Sequence, residues 1–408
     1  MTIYLKLAWR SIWRNKRRTL ITISALVFAV IVSVLMQSLN RGSHELIIEN
    51  MTHLQTGFVQ IQDYRFQDEP SLDNSFFFDE NLEKEWLEID DRIQWVLPRI
   101  ETFMLAAIDG STRGALVFGV DVKKEQDFNQ LKDRLAKGEF FQQDEYAVVI
   151  SAGFAERTNI GIGDTLALIG QGRFAMSASG LFAVSGIIDH PLPDMNSQTI
   201  YMPLAVAQEL LSADQMVSSV LIGLETDRHT QSVADALKNG ISDDELAVFT
   251  WPELIPELLE LLEFDLVGAY LMSYILYIVI AFGFFGTILT MTLERIKEFG
   301  ILISVGMGRG RLALTLFLEV LVMSVLGVLV GAAGAWLLLY YFYLNPIELT
   351  GQIAETVMDM GWEPVLPMSF APDQFYTQGI IVFIIAMVIS IYPIYKIFSL
   401  DVIKASRT

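Results

Sequence analysis

Four apolar runs constrain this chain before anything else does: Thr19–Leu39, Leu266–Leu293, Leu312–Leu344 and Tyr376–Phe398. A hydrocarbon layer of roughly 30 Å takes about 20 residues of helix to cross, and each run reaches that length. Inside lipid a backbone amide finds no water, so a spanning segment must satisfy its hydrogen bonds internally, as a helix does. A mean hydropathy of +0.43 agrees. The expected fold is therefore membrane α-helical, with four transmembrane helices. A large extracytoplasmic α+β domain is inserted between the first and second of them.

Charge sets the orientation. The first eighteen residues carry six Lys/Arg and no acid, and the short segment between the second and third runs carries Arg295, Lys297, Arg309 and Arg311. Both belong on the cytoplasmic side. Residues 41–265 carry 15 Lys/Arg against 39 Asp/Glu, and Asn345–Phe375 has five acids and no base. Both belong outside. The chain divides into a cytoplasmic amphipathic elbow helix (1–18), a first span (19–40) and an outer domain with stalk helices at both ends (41–265). A second span (266–293), a cytoplasmic segment (294–311) and a third span (312–344) follow. A short outer loop (345–375), a fourth span (376–398) and a cytoplasmic tail (399–408) complete it.

In the elbow, Lys6, Arg10, Arg14 and Arg18 recur every four residues, while Leu5, Trp9, Ile12 and Trp13 make another face. That pattern suits a helix lying among headgroups, with indoles at the interface and cations toward anionic lipid. No small-x-small site follows the apolar run, where residues 33–40 read SVLMQSLN, so the expectation is an uncleaved anchor.

The segment 294–311 is too apolar for a solvated hairpin. Glu294 and Glu298, and Arg295 and Phe299, stand four apart; Gly300, Ile301, Leu302 and Val305 follow, then Gly306, Gly308 and Gly310. A short amphipathic helix docking on a partner needs such residues, and the glycines end it and let the chain turn. In the third span Gly327, Gly331 and Gly334 form a small-residue packing face. Ala25, Ala29 and Ser33 make a second such stripe or a chance one. Glu319, about two turns inside the membrane, should hydrogen-bond within the bundle or pair with a base of the cytoplasmic segment such as Arg311.

The outer domain reads as alternating strands and helices. Strands are expected at 57–62, 92–98, 102–109, 113–121, 146–151, 179–189, 199–203, 217–225 and 245–249; helices at 126–137, 151–160, 203–211 and 230–239. Trp251–Asp265 should run into the second span as a stalk without a break. Phe76, Phe77 and Phe78 read as core or as a seam between subdomains, with a cargo-facing patch as the alternative.

Several chemistries are excluded. There is no cysteine, no G-x-x-x-x-G-K-[ST] and no G-x-S-x-G. The four histidines, His44, His53, His190 and His229, are scattered and form no metal-binding motif. An acidic chain offers nucleic acid no basic face. The chain should be no enzyme by itself, binding neither cofactor nor metal.

The block ERIKEFGILISVGMGRGRLALTLFLEVLVMSVLGVLVG (294–331) resembles the ER-x-x-E-[IF]-G-[IVT]-L-[RK]-[AS]-[IVL]-G segment of the ABC transporter permeases that include MacB, LolC, LolE and FtsX. Phe299 stands where Ile or Val is usual, and Ser304 follows Ile303 where Arg-Ala or Lys-Ala is common. The closing YPIYKIFSLDVIKASR resembles the family's tail, with Val402 at the usual proline. The run from GEFF through AERTNIGIGDTLAL to TIYMPLAVAQELL resembles the MacB-like periplasmic core domain, although GQGRFAMSASG (170–180) lacks the proline-rich hairpin of a chaperone-recruiting permease.

The resemblance implies that the coupling segment sits on a cytoplasmic ABC ATPase dimer, which uses ATP and Mg. A second permease copy or paralogue would complete the assembly in a bacterial inner membrane. Lipoprotein release from the outer leaflet is the leading implied function, with lipoprotein cargo and a periplasmic carrier as partners. MacB-like efflux through a periplasmic adaptor and FtsX-like signalling to a cell-wall hydrolase are the alternatives.

Overall fold

The computed structural model describes residues 9–10, 12–14, 16–108, 110–359 and 364–399. The readings at Leu5, Lys6 and Asp109 and those in the tail beyond residue 399 lie outside them. The chain forms two compact units: Met1–Glu45, Leu262–Glu348 and Val365–Thr408 make one, Leu46–Leu261 and Leu349–Pro364 the other.

The first unit is a helical bundle. Among the described residues, four helices are long and apolar enough to cross a membrane: Lys16–Thr56, Pro256–Glu294, Arg309–Leu344 and Pro372–Phe398. The last is not straight. It breaks between Pro372–Ile389 and Ile391–Phe398, where Pro393 supplies no backbone N–H to the preceding turn. The glycine face of the third span is a seat for the first. A Cβ on Gly327 would lie 2.7 Å from the Leu26 Cβ, and one on Gly331 would lie 2.8 Å from the Val30 Cβ and 3.1 Å from the Val27 carbonyl oxygen. Gly334 approaches Ile31 in the same way. Only residues without a side chain let the two backbones come so close. In the other stripe Ala29 and Ser33 are buried and Ala25 half-buried. At the outer end Arg41 holds Asp373 at 2.8 Å, and His44 holds Asp265 at 2.7 Å.

The second unit is an α/β domain on a ten-stranded mixed sheet. Its strands are β1 (Val59–Asp63), β3 (Trp95–Ile108), β4 (Ser111–Val120), β5 (Leu135–Gly138), β6 (Ala147–Ser151), β7 (Thr165–Gln171), β8 (Ser177–Ile188), β9 (Thr199–Pro203), β11 (Ser219–Gly223) and β12 (Leu246–Thr250). A separate ribbon pairs β2 (Phe76–Phe77) with β10 (Met216–Val217). The sheet order is β12-β1-β11-β3-β4-β9-β6-β8-β5, with β7 bridging β3 and β8. Neighbours are antiparallel except β4–β9 and β6–β8.

The expected strands at 92–98 and 102–109 are one strand. Its first part, Trp95–Arg99, pairs with β11, and Arg99–Ile108 pairs with β4. Pro98, which looked like an end, stands just before this change of partner. One long strand thus serves two apolar cores. Val96 and Leu97 belong to the core with Trp86 and Phe128, and Met104 and Ala106 to the core with Phe154 and Phe182. Phe76 and Phe78 pack on the first of these cores, while Phe77 is exposed.

Two further expectations are corrected. The helix at 126–137 is a helix at Val122–Asn129, a 3-10 turn at Leu131–Arg134 and strand β5. Asp121 caps it through the N–H groups of Lys123 and Lys124, and Gln130 adopts a left-handed conformation that stops it. The stalk before the second span is interrupted at Ile255 (φ −130°, ψ 64°), because a residue preceding proline is pushed out of the helical region. The outer loop 345–375 carries a two-stranded ribbon (Ile347–Glu348 with Val365–Leu366) and a helix at Gln352–Asp359.

A buried ion pair organises the start of this domain. Arg99 and Glu125, both about fully buried, are joined at 2.6 and 2.9 Å, and Asn129 donates to Glu125 as well. Arg99 also donates to the carbonyls of Leu54 at 3.0 Å and Gln55 at 3.3 Å, in the π-helical turn Thr52–Thr56. Those carbonyls are satisfied by a charge that itself needs partners.

Two expectations can be checked. Gly331→Leu should destabilise the detergent-solubilised chain by about 1–3 kcal/mol through overpacking against Val27 and Val30, whereas Gly283→Ala, in open space, should leave the melting temperature in place. Burial, helped by the charges of Arg134 and Arg99, pushes the His190 imidazole down from its ordinary 6.5 to about 3. Across that interval the unfolded chain binds the proton and the folded chain does not, so stability falls as pH drops from about 6.5 toward about 3. His190→Gln should flatten that part of the pH–stability curve, as read by thermal unfolding.

Candidate coupling site

Within the bundle unit, the second span ends at Glu294 and a nine-residue helix, Ile296–Ser304, begins two residues later. Arg295 between them leaves helical geometry (φ −100°, ψ 2°), so the chain bends there instead of continuing straight. Its far end is closed by two backbone bonds, Met307 N–H to the Leu302 carbonyl and Gly306 N–H to the Ile303 carbonyl, each 3.0 Å. That pairing needs a left-handed residue, and Gly306 supplies it at φ +104°. Gly308 caps the third span, which starts at Arg309, and Gly310 falls in its first turn.

The short helix has two apolar faces with different fates. Phe299 and Gly300 are buried, and Phe299 joins Leu312, Ala313, Leu316 and Ile397 in a small separate core. On the other side Ile301 is 55% exposed, Leu302 42% and Val305 82%. Three aliphatic side chains on one turn and a half are thus left exposed, with a buried aromatic behind them.

Its position is set by charge. Arg295 is almost buried, and its Nη1 donates to both carboxylate oxygens of Glu319 at 2.9 and 2.8 Å. The intramembrane acid thus meets Arg295, at the start of the segment. The Arg295 guanidinium also lies 5.3 Å from the Phe299 ring centroid and 3.4 Å from a Glu298 oxygen. One cation therefore joins the third span, the short helix and its aromatic anchor.

Two more pairs reach the segment from the elbow. Arg14 meets Glu298 at 3.2 Å and Arg18 meets Glu294 at 2.8 Å. The two pairs bridge helix junctions: Glu294 ends the second span and Glu298 lies in the short helix, while Arg18 lies in the helix that begins at Lys16 and Arg14 just before it. The sequence reading placed the arginines toward lipid and the glutamates toward a partner, and it missed that they face each other. The matched four-residue spacing was the available signal. Among the described residues no group of three or more His, Cys, Asp and Glu side chains is placed to hold a metal.

Both halves of the chain match known families. A family model described as MacB-like periplasmic core domain matches residues 19–239, and one described as FtsX-like permease C-terminal matches residues 270–402. Among solved structures, the extracellular domain of the noncanonic ABC-type transporter YknZ from Gram-positive bacteria is 14% identical, covering 47% of this chain and 99% of that one, with a TM-score of 0.33. The periplasmic region of MacB from Actinobacillus actinomycetemcomitans is 15% identical, covering 53% of this chain and 98% of that one, with a TM-score of 0.36. No curated protein matches the chain in sequence.

Removing one partner of the Arg295–Glu319 pair strands a buried charge, which costs about 3–5 kcal/mol. Glu319→Leu and Arg295→Leu should each lower the melting temperature of the purified chain sharply. The double substitution should recover most of the loss, as thermal unfolding in a double-mutant cycle will read.

Proposed function

This chain belongs to the MacB/FtsX-type family of ABC transporter permeases, and on that premise we propose that it couples ATP hydrolysis by a separate cytoplasmic ATPase to conformational change in its extracytoplasmic domain. The observation that carries the reading is the short helix Ile296–Ser304. It exposes Ile301, Leu302 and Val305 while Phe299 and Arg295 root it in the bundle. A load applied to the exposed face is borne by a buried ion pair to the third span.

In this reading the chain lies in a bacterial inner membrane with both termini cytoplasmic and residues 41–265 periplasmic. The ATPase is a dimer using ATP and Mg, and a second permease copy or paralogue completes the pair. The cargo we favour is a lipoprotein extracted from the outer leaflet. What supports it is the resemblance of the block 294–331 to a permease family that includes the lipoprotein-release members LolC and LolE.

Co-purification of the tagged chain from its native membranes tests both levels. An ATP-hydrolysing subunit should come with the wild-type chain and be lost with Val305→Glu or Leu302→Asp, while the permease stays monodisperse. Lipoproteins should be recovered by mass spectrometry in the same fraction. A folded chain that brings no ATPase refutes the coupling reading, and an ATPase complex devoid of lipoprotein refutes the cargo.

A further inference from the structure

The ion pairs around the short helix fall into two classes. Arg295 and Glu319 are buried and doubly bonded, and their side chains are 8% and 2% exposed. The elbow pairs are open. Arg14 and Glu298 are 65% and 47% exposed at 3.2 Å, and Arg18 and Glu294 are 41% and 44% exposed at 2.8 Å. Open pairs of this kind are worth little, because each charge is nearly as well served by solvent or another ion.

The elbow itself is firmly placed. Ile12 is buried in the same apolar core as Phe284, Ile288 and Met291, and the Thr19 hydroxyl donates to the Ile12 carbonyl at 2.9 Å, closing the corner into the first span. Trp9 and Trp13 remain exposed, packed edge to face at 6.0 Å, with the Lys16 ammonium 5.9 Å from the Trp13 ring. Arg10 and Arg17 are exposed beside them. Indoles and cations on one short surface, next to a spanning helix, match the headgroup layer of a membrane carrying anionic lipid.

We propose that anionic phospholipid headgroups bind the elbow at Arg14 and Arg18 and compete there with Glu298 and Glu294, so that leaflet charge sets how tightly the coupling helix is held to the elbow. Charge complementarity selects this occupant, because the guanidiniums that a phosphate would take are the ones now shared with carboxylates. The buried Arg295–Glu319 pair is out of reach of headgroups and keeps the helix rooted while the outer pairs exchange. The proposal extends the coupling reading, since a looser helix would pass a different stroke. The binding step itself requires no ATPase.

The chain contains no cysteine, so two spin labels can be placed without background. We would label Arg17→Cys and Lys297→Cys in the full-length chain, reconstitute it without any ATPase, and read the label distance by pulsed electron resonance. Discs of phosphatidylcholine would be compared with discs containing phosphatidylglycerol.

The distance should lengthen and broaden as phosphatidylglycerol rises. In Glu294→Gln/Glu298→Gln it should start long and ignore lipid charge, and in Arg14→Gln/Arg18→Gln it should also ignore lipid charge. A wild-type distance that does not respond overturns the proposal, as does a response that survives Arg14→Gln/Arg18→Gln. A response reproduced by soluble inorganic phosphate in phosphatidylcholine discs would show an anion site instead of a membrane-sensing one, and overturns it too. Failure here with ATPase co-purification intact would leave the coupling reading standing.

Discussion

Everything around the short helix between the second and third spans depends on the burial of Arg295 against Glu319. Two charges taken out of water are costly, and apolar residues of the same size could serve stability as well. Their value is positional. A guanidinium has several donors in a plane, so Arg295 can hold Glu319, approach Glu298 and stack on Phe299 at once. No aliphatic side chain could specify three directions. Because the pair sits at the bend between the second span and the short helix, it fixes the angle at which that helix leaves the membrane, and hence the direction in which Ile301, Leu302 and Val305 face.

The outer domain uses the same device in a different place. Arg99 and Glu125 are buried together, and the remaining donors of Arg99 close the carbonyls of a π-helical turn at Leu54 and Gln55. In each unit an arginine that cannot return to water is held by one carboxylate and reaches a backbone or side chain at the end of a long helix. These are the positions where a helix would otherwise end in unsatisfied groups or fray. The exposed elbow pairs contrast with both, being exchangeable where the buried ones are not.

Much of this was legible from residue order. The four spans, the glycine seat on the third helix and most strands of the outer domain follow from periodicity and composition, because burial in lipid and alternation in a sheet impose those patterns directly. Local stops were less legible. Ile255 breaks the stalk because of Pro256, a signal present in the sequence but outweighed by the leucines around it. The helix near residue 126 begins earlier because Asp121 caps it, and Pro98 looked like an end when it marks the change of partner along β3. Each error came from weighing a local signal without knowing its neighbour in space.

What residue order determined by itself is therefore the class of the molecule: a four-span membrane protein with an acidic domain of mixed helices and strands and a short apolar segment between its second and third spans. It determined them because hydropathy, charge asymmetry and four-residue spacing act within a single helix or strand. Only the tertiary structure decided that Glu319 meets Arg295, that Arg14 and Arg18 meet Glu298 and Glu294, and that Phe299 turns inward while Val305 turns out. Those pairings join residues between 24 and 284 positions apart, and the choice among equally charged candidates rests on how the helices pack.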